Sequence, residues 1–225
     1  MKYGKLAGLA ILVMLFMTGP AAAQDYQVGS MSIGIFGGYS FSVAGDALED
    51  ADGTEFKHQF TGGGGIMYRF PMGFALEIDA QYLNFKYEEE VDSDDVEFGK
   101  LTQVPLMLWA KWQGKVEQGI TGHGGIGAGV NFTSFDVSDD YRDALGVDGD
   151  YSIDPDTAFV FGVNAGIDYF FTPEFSISLD AKYLYSKVDF EGTYTEDGDE
   201  TSFDGTFNGH NLSVLLGFRY WFPVE

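Results

Sequence analysis

The sequence predicts an all-β protein, an eight-stranded antiparallel up-and-down transmembrane β-barrel, and three observations carry that expectation. Apolar residues alternate with small or polar ones through eight separate segments, while helical i, i+3, i+4, i+7 spacing is scarce. The connections between segments alternate between short and long, as they do where hairpins are strung around a barrel of even strand number. The apolar rows end in aromatic residues beside the short connections, which is where a membrane-interface girdle belongs.

Ahead of the first segment, Lys2 and Lys5 flank the start of an apolar run over 6–17, and Ala21-Ala22-Ala23 supplies small residues for cleavage. The pattern is that of a secretory signal peptide over 1–23, leaving one barrel domain over 24–225. The run is too short to span a bilayer as a helix. The exported chain then carries ten basic residues against 35 acidic ones, a net charge of −25. So acidic a chain has no means of neutralising phosphates, and nucleic acid is excluded as a partner. With no cysteine it has neither a disulfide staple nor a thiolate metal site.

The eight segments are 31–43, 58–70, 74–87, 99–112, 118–134, 158–171, 175–189 and 210–222. Pro71-Met72-Gly73, the stretch 113–117 and Thr172-Pro173-Glu174 make the short connections, each with a Gly or Pro for the turn. The stretches 44–57, 88–98, 135–157 and 190–209 read as long polar loops and hold 26 of the 35 acidic residues. Lys57 and Arg142 are their only offsetting charges.

One phase of each segment is apolar over a long stretch. It reads Ile33, Ile35, Gly37, Tyr39, Phe41, Val43 in the first segment and Val104, Leu106, Leu108, Ala110, Trp112 in the fourth. In the eighth it reads Leu212, Val214, Leu216, Phe218, Tyr220, Phe222. A soluble barrel of eight strands would bury that phase. Two details place it toward lipid instead. Tyr68, Phe70, Phe74, Trp112, Tyr169, Phe171, Phe175, Tyr220 and Phe222 form a girdle at the short-turn end, and glycine crowds the opposite phase (Gly63, Gly65, Gly125, Gly127, Gly129, Gly162, Gly166, Gly217), as the tight inside of a small barrel requires.

The stretch "TGHGGIGAGVNFTSF" places Gly122, Gly124 and Gly127 in the G-x-G-x-x-G spacing of a dinucleotide-binding loop. That spacing has chemical meaning only between a buried parallel strand and a helix. Here the glycines fall in mid-strand, and "TGGGGIMY" repeats the feature where no nucleotide motif exists. Close packing, not phosphate binding, is the expected role.

The inward phase divides along the barrel axis. Nearest the short turns it carries Arg69, Glu77, Asp79, Lys111, Asp168, Asp180, Lys182 and Arg219, with His123 beside them. Charges so placed must be paired, so an interior ion network is expected, either a plug filling the lumen or a gate with exchangeable partners. Farther up, the inward residues become Leu83, Phe85, Leu101, Met107, Val160, Leu184 and Val188. An eight-stranded barrel is wide enough only for side chains or one small ligand. These residues therefore either fill the space or line a pocket for a small hydrophobic molecule. The placement of Leu83 and Phe85 requires that the third segment carry no bulge beneath them.

"QVPLMLWAKW", "GGIGAGVNFTSF", "FGVNAGIDYFFTPEFSISLDAKYLY" and "LLGFRYWF" resemble successive strands of the OmpW-type outer-membrane proteins. The resemblance spans 100–222 and is most specific at the G-x-G-x-N-[FY]-T strand over 127–133 and the A-G-[IV]-D-Y strand over 165–169. The first three segments share only the general character of small barrels, including the OmpX and OmpA kinds. The resemblance implies a monomeric eight-stranded barrel with a narrow hydrophobic lumen, passing small hydrophobic solutes across the outer membrane of a Gram-negative bacterium. It departs in one place. Such barrels end on their terminal aromatic, whereas Phe222 is followed by Pro223-Val224-Glu225, which is expected to weaken the assembly signal.

No enzyme, cofactor or metal is expected. His58 and His210 stand near the long-connection rim but in the outward phase, and no G-x-S-x-G accompanies them. Asp148, Asp150, Asp154 and Asp156 suggest calcium, yet the stretch lacks the glycine and the closing glutamate of an EF-hand loop. The expected partners of the acidic connections are outer-membrane lipid and lipopolysaccharide, bridged by divalent cations. The alternative to a transport role is a structural or adhesive surface barrel with a filled lumen.

Overall fold

The computed structural model describes residues 30–44, 55–56, 59–91, 94–117, 119–138, 151–196 and 199–222. The expected signal segment, His58, Asp148, Asp150 and residues 223–225 lie outside them. Eleven strands are present among the described residues: β1 Ser30–Ala44, β2 Glu55–Phe56, β3 Gln59–Arg69, β4 Phe74–Val91, β5 Asp94–Glu117, β6 Ile120–Val137, β7 Tyr151–Pro155, β8 Ala158–Thr172, β9 Phe175–Glu196, β10 Asp199–Asn208 and β11 His210–Trp221. Eight close the barrel in the order β1-β3-β4-β5-β6-β8-β9-β11, with β11 returning to β1. Every neighbour pair is antiparallel, so all ladders of the closed wall are satisfied and no edge faces lipid.

The short turns have local chemical causes. Pro71–Gly73 forms a single 3-10 turn in which Gly73 takes φ +83°, a left-handed conformation that glycine adopts without a Cβ penalty. Gly119 takes φ +79° between β5 and β6. Between β8 and β9 the Thr172 hydroxyl accepts from the backbone N–H groups of Glu174 and Phe175, both at 3.2 Å.

The outward and inward faces invert the polarity of a soluble protein. Ile35 and Phe159 are 69% and 79% exposed, whereas Lys111 and Asp168 are 0% exposed. A contiguous apolar exterior of this kind is stable only in hydrocarbon. At the short-turn end the girdle rings pack on one another: Phe74 with Trp112 at 5.6 Å, Phe171 with Phe175 at 6.0 Å, and Phe175 with Tyr220 at 5.2 Å.

All four long stretches expected as loops, and the short connection 113–117, are in fact partly strand. β4 and β5 run on through 88–97 as a paired hairpin, with β2 beside β4. Likewise β9 and β10 pair from Asn208↔Lys187 up to Asp199↔Glu196, and β7 pairs the other side of β9. The stretch 113–117 also belongs to β5, not to a turn. Acid-rich composition obscures the alternation in the long stretches, whereas in 113–117 it is Gly114 that reads as a turn. Carboxylates on a strand that stands in water cost little, and in the β9-β10 hairpin the row beside them is left to aromatic residues and glycine.

The β7-β9-β10 sheet above the wall is two-faced. One row holds Ile153, Pro155, Phe190, Phe203 and Phe207, continuing the phase of the buried Val188. The other row holds Ser152, Asp154, Asp189, Glu191, Asp204 and Thr206, with Thr206 donating to Asp189 at 2.6 Å. Phe203 lies over Gly192 and Phe190 over Gly205, and a Cβ on either glycine would fall within 2.1 Å or 2.6 Å of the facing ring. These glycines let the rings lie flat along the sheet.

Candidate functional site

The inward positions of the wall strands bring the charged residues together in the half nearest the short turns. Glu77 is flanked by Lys111 and Arg219, with the Arg219 guanidinium donating to Glu77 Oε1 at 2.6 Å and Lys111 Nζ on Oε2. Lys182 pairs with Asp79, and its ammonium lies 4.2 Å from the Phe36 ring centroid. His123 bridges two carboxylates, Nδ1 at 3.1 Å from Asp168 Oδ2 and Nε2 at 2.6 Å from Asp180 Oδ1. Both ring nitrogens thus face acceptors, an arrangement that a doubly protonated ring satisfies. Arg69 donates through Nε to Gln113 Oε1 at 2.5 Å and lies 4.0 Å over the Trp221 ring. Met67, Ala75 and Trp221, with Phe170 against them, form a small apolar layer around it at the short-turn end.

Above this floor lies the apolar cluster. Leu83, Phe85, Leu101, Met107, Val160 and Leu184 are packed in one group with Trp109, each 4% exposed or less. The first register shift between β4 and β5 falls at Tyr87/Glu88, above Leu83 and Phe85, so both keep the inward phase. Val188 is buried opposite Phe207, which packs against the same cluster and links it to the aromatic row of the β9-β10 hairpin. Phe207 thus joins the aromatic row of that hairpin to the apolar cluster above the charged floor.

Trp109 is the residue that the sequence reading passed over. It is 0% exposed, within reach of Lys182 at 5.6 Å, and stands between the floor and the apolar cluster. Its place explains two glycines. A Cβ on Gly127 would lie 2.5 Å from the Trp109 ring, and one on Gly162 would lie 2.8 Å from it. The last glycine of the nucleotide-like spacing thus clears room for an indole. Gly127→Val is accordingly expected to destabilise the barrel by about 1–3 kcal/mol through overpacking, and Trp109→Leu in the same chain to restore most of the loss. Near-UV circular dichroism and urea unfolding in detergent check both.

On the β1-β3-β4-β11 side of the lumen a polar chain is fully connected. Gln81 donates to Thr61 at 3.1 Å and to Ser213 at 2.9 Å, and Ser213 donates to Ser40 at 3.0 Å. His210 lies on the outer surface, 2.8 Å from the Tyr183 hydroxyl and 4.4 Å ring to ring from Tyr185. Among the described residues no group of three His, Cys, Asp or Glu is placed to hold a metal ion.

A family model described as the outer membrane protein beta-barrel domain matches residues 9–220. No curated protein matches the chain. Among solved structures, the outer membrane protein OprG from Pseudomonas aeruginosa is 19% identical, the match covering 88% of this chain and 98% of OprG with a TM-score of 0.56. AlkL, solved by solid-state NMR in lipid bilayers, is 17% identical over 92% of this chain and 96% of its own, TM-score 0.56. A major outer membrane protein from Thermus thermophilus is 14% identical over 86% and 99%, TM-score 0.58. At these identities the likeness is one of fold.

Proposed function

This chain belongs to the outer membrane protein beta-barrel family, and we propose that it helps small hydrophobic molecules across the outer membrane of its Gram-negative host. The observation that carries the proposal is the apolar cluster on the inside of a closed wall, continuous with the aromatic row of the β9-β10 hairpin. A solute meets that row first, moves down to Leu83, Phe85 and Leu184, and is stopped by the Glu77–Lys111–Arg219 floor. With the floor closed, the way out is sideways through the wall. The role is one of passage, not catalysis. His123 has both nitrogens engaged by buried carboxylates, which leaves it no lone pair to serve as a base.

A second reading is a filled structural or adhesive barrel. Trp109, buried across the lumen, favours it, as do the carboxylates on the outer row of the β7-β9-β10 sheet, which suit divalent cations bridged to lipopolysaccharide. Uptake into proteoliposomes separates the two. A small apolar fluorophore is expected to enter faster than into empty liposomes, and a small polar sugar is not. Uptake of neither means a filled barrel.

A further inference from the structure

Four buried polar side chains of the upper lumen, three on β5 and β6 and one on β11, lie outside the connected polar chain. Gln103 Nε2, Asn131 Oδ1, Thr133 Oγ1 and Asn211 Oδ1 are inaccessible and make no hydrogen bond among the described residues. Gln103, Asn131 and Asn211 are each 2% exposed or less. Buried polar groups are nearly always partnered, so a set left open at one place needs a reason.

The register gathers them. Gln103 faces Thr133 across the β5-β6 ladder, and Pro105 faces Asn131 one inward rung away. β11 stands four strands from β5 in either direction around the wall, so it lies across the lumen. Gln103 reaches it: a Cβ on Gly209 would fall 2.8 Å from Gln103 Nε2, and Asn211 is the next inward residue. Leu83 sits beside Gln103 on β4, and Val160 faces Gly129, one inward rung below Asn131. Uncharged donors and acceptors thus stand at mid-height in the apolar cluster, with Phe85, Leu101 and Phe135 one inward rung above them and Met107 and Trp109 below.

We propose that this set is a head-group site, and that the lumen selects neutral amphiphiles: an apolar chain of the size of a fatty alcohol or amide, ending in one group that both donates and accepts. The head group bonds to Gln103 Nε2 and to the Asn131 and Asn211 oxygens, and the chain lies on Leu83, Leu184 and Trp109. A bare hydrocarbon leaves these atoms unpartnered, and an ion finds no opposite charge at this level. The inference rests on the passage reading and adds the solute class to it.

The test uses the full barrel in nanodiscs with Trp112→Phe and Trp221→Phe, leaving Trp109 as the only indole. Quenching of its fluorescence is titrated with 12-bromododecan-1-ol and with 1-bromododecane. The alcohol is expected to quench at about tenfold lower membrane concentration, the factor that one ordinary hydrogen bond confers. Gln103→Met with Asn131→Leu should bring the two probes to within about twofold while leaving urea stability unchanged or higher, because open polar atoms are removed. Equal quenching by both probes in the parent overturns the head-group site and leaves the apolar passage standing. A stability loss in the double variant with the preference intact also overturns it, since the polar atoms then serve the fold through bound water. Quenching by neither probe overturns both readings. Should the double variant fail to show the heat-modifiable mobility of a folded barrel, Asn211→Leu alone carries the same comparison.

Discussion

Glu77→Gln is expected to destabilise the barrel by about 3–5 kcal/mol, because it leaves two buried cations facing a neutral amide. Lys111 and Arg219 both close on the Glu77 carboxylate, and all three residues are 5% exposed or less. Neither cation can swing to solvent, since Met67, Ala75 and Trp221 close the space toward the short turns and Trp109 stands above. The amide can still accept one hydrogen bond, but it carries no charge to offset two. Urea unfolding in lipid, read by the mobility difference between folded and unfolded barrel, gives the loss directly. The companion variant Glu77→Met, Lys111→Met, Arg219→Met is expected within about 1–2 kcal/mol of the parent, since apolar replacement of a whole buried ion group is often neutral. A Glu77→Gln loss below about 1 kcal/mol would mean that water reaches the floor and that the network is not a dry plug.

The parts of this architecture that were legible in the sequence share one physical basis. In a membrane wall each residue answers to one of two solvents, and the period of two records which. Ile35, Phe159 and Leu216 on one phase and Glu77, Lys111 and Asp168 on the other are sorted by that rule alone. The rule weakens where both faces meet water. In β9 beyond Asp189 and in β10 the acidic residues outweigh the alternation of Phe190, Phe203 and Phe207, so these strands read as loop. Trp109 escaped for another reason. Its phase is that of Lys111, but in "LWAKW" it sits among outward apolar residues, and an indole among leucines and alanine reads as lipid-facing. The signal that could have found it is the pair Gly127 and Gly162, small residues facing one point from two neighbouring strands. The open polar atoms at Gln103 and Asn131 had no sequence signal at all, because partnering depends on what the opposite wall presents.

Leu184→Lys is expected to reduce apolar uptake at least tenfold, to the level of empty liposomes. Leu184 is 1% exposed within the cluster of Met107, Trp109 and Val160, and a Cβ on Gly162 would touch its methyl at 2.8 Å. An ammonium there finds no carboxylate at its own level, and it holds water in the path that an apolar solute must share. Leu184→Met conserves volume and polarity and should keep uptake within about twofold of the parent. The contrast between the two, in chains of equal heat-modifiable mobility, isolates lumen chemistry from folding. Deletion of 191–206 is a poor test of the surface reading, because it removes Phe203 along with the outer carboxylates, and uptake is expected to fall several-fold with it. Neutralising the outer row alone, by Asp189→Asn, Glu191→Gln and Asp204→Asn, leaves the aromatic row in place. Under the passage reading that variant takes up the fluorophore as the parent does. Under the adhesive reading it loses divalent-dependent binding to lipopolysaccharide while Leu184→Lys retains it. A barrel in which Leu184→Lys and the neutralised row both behave as the parent would have its work neither in the lumen nor on this sheet.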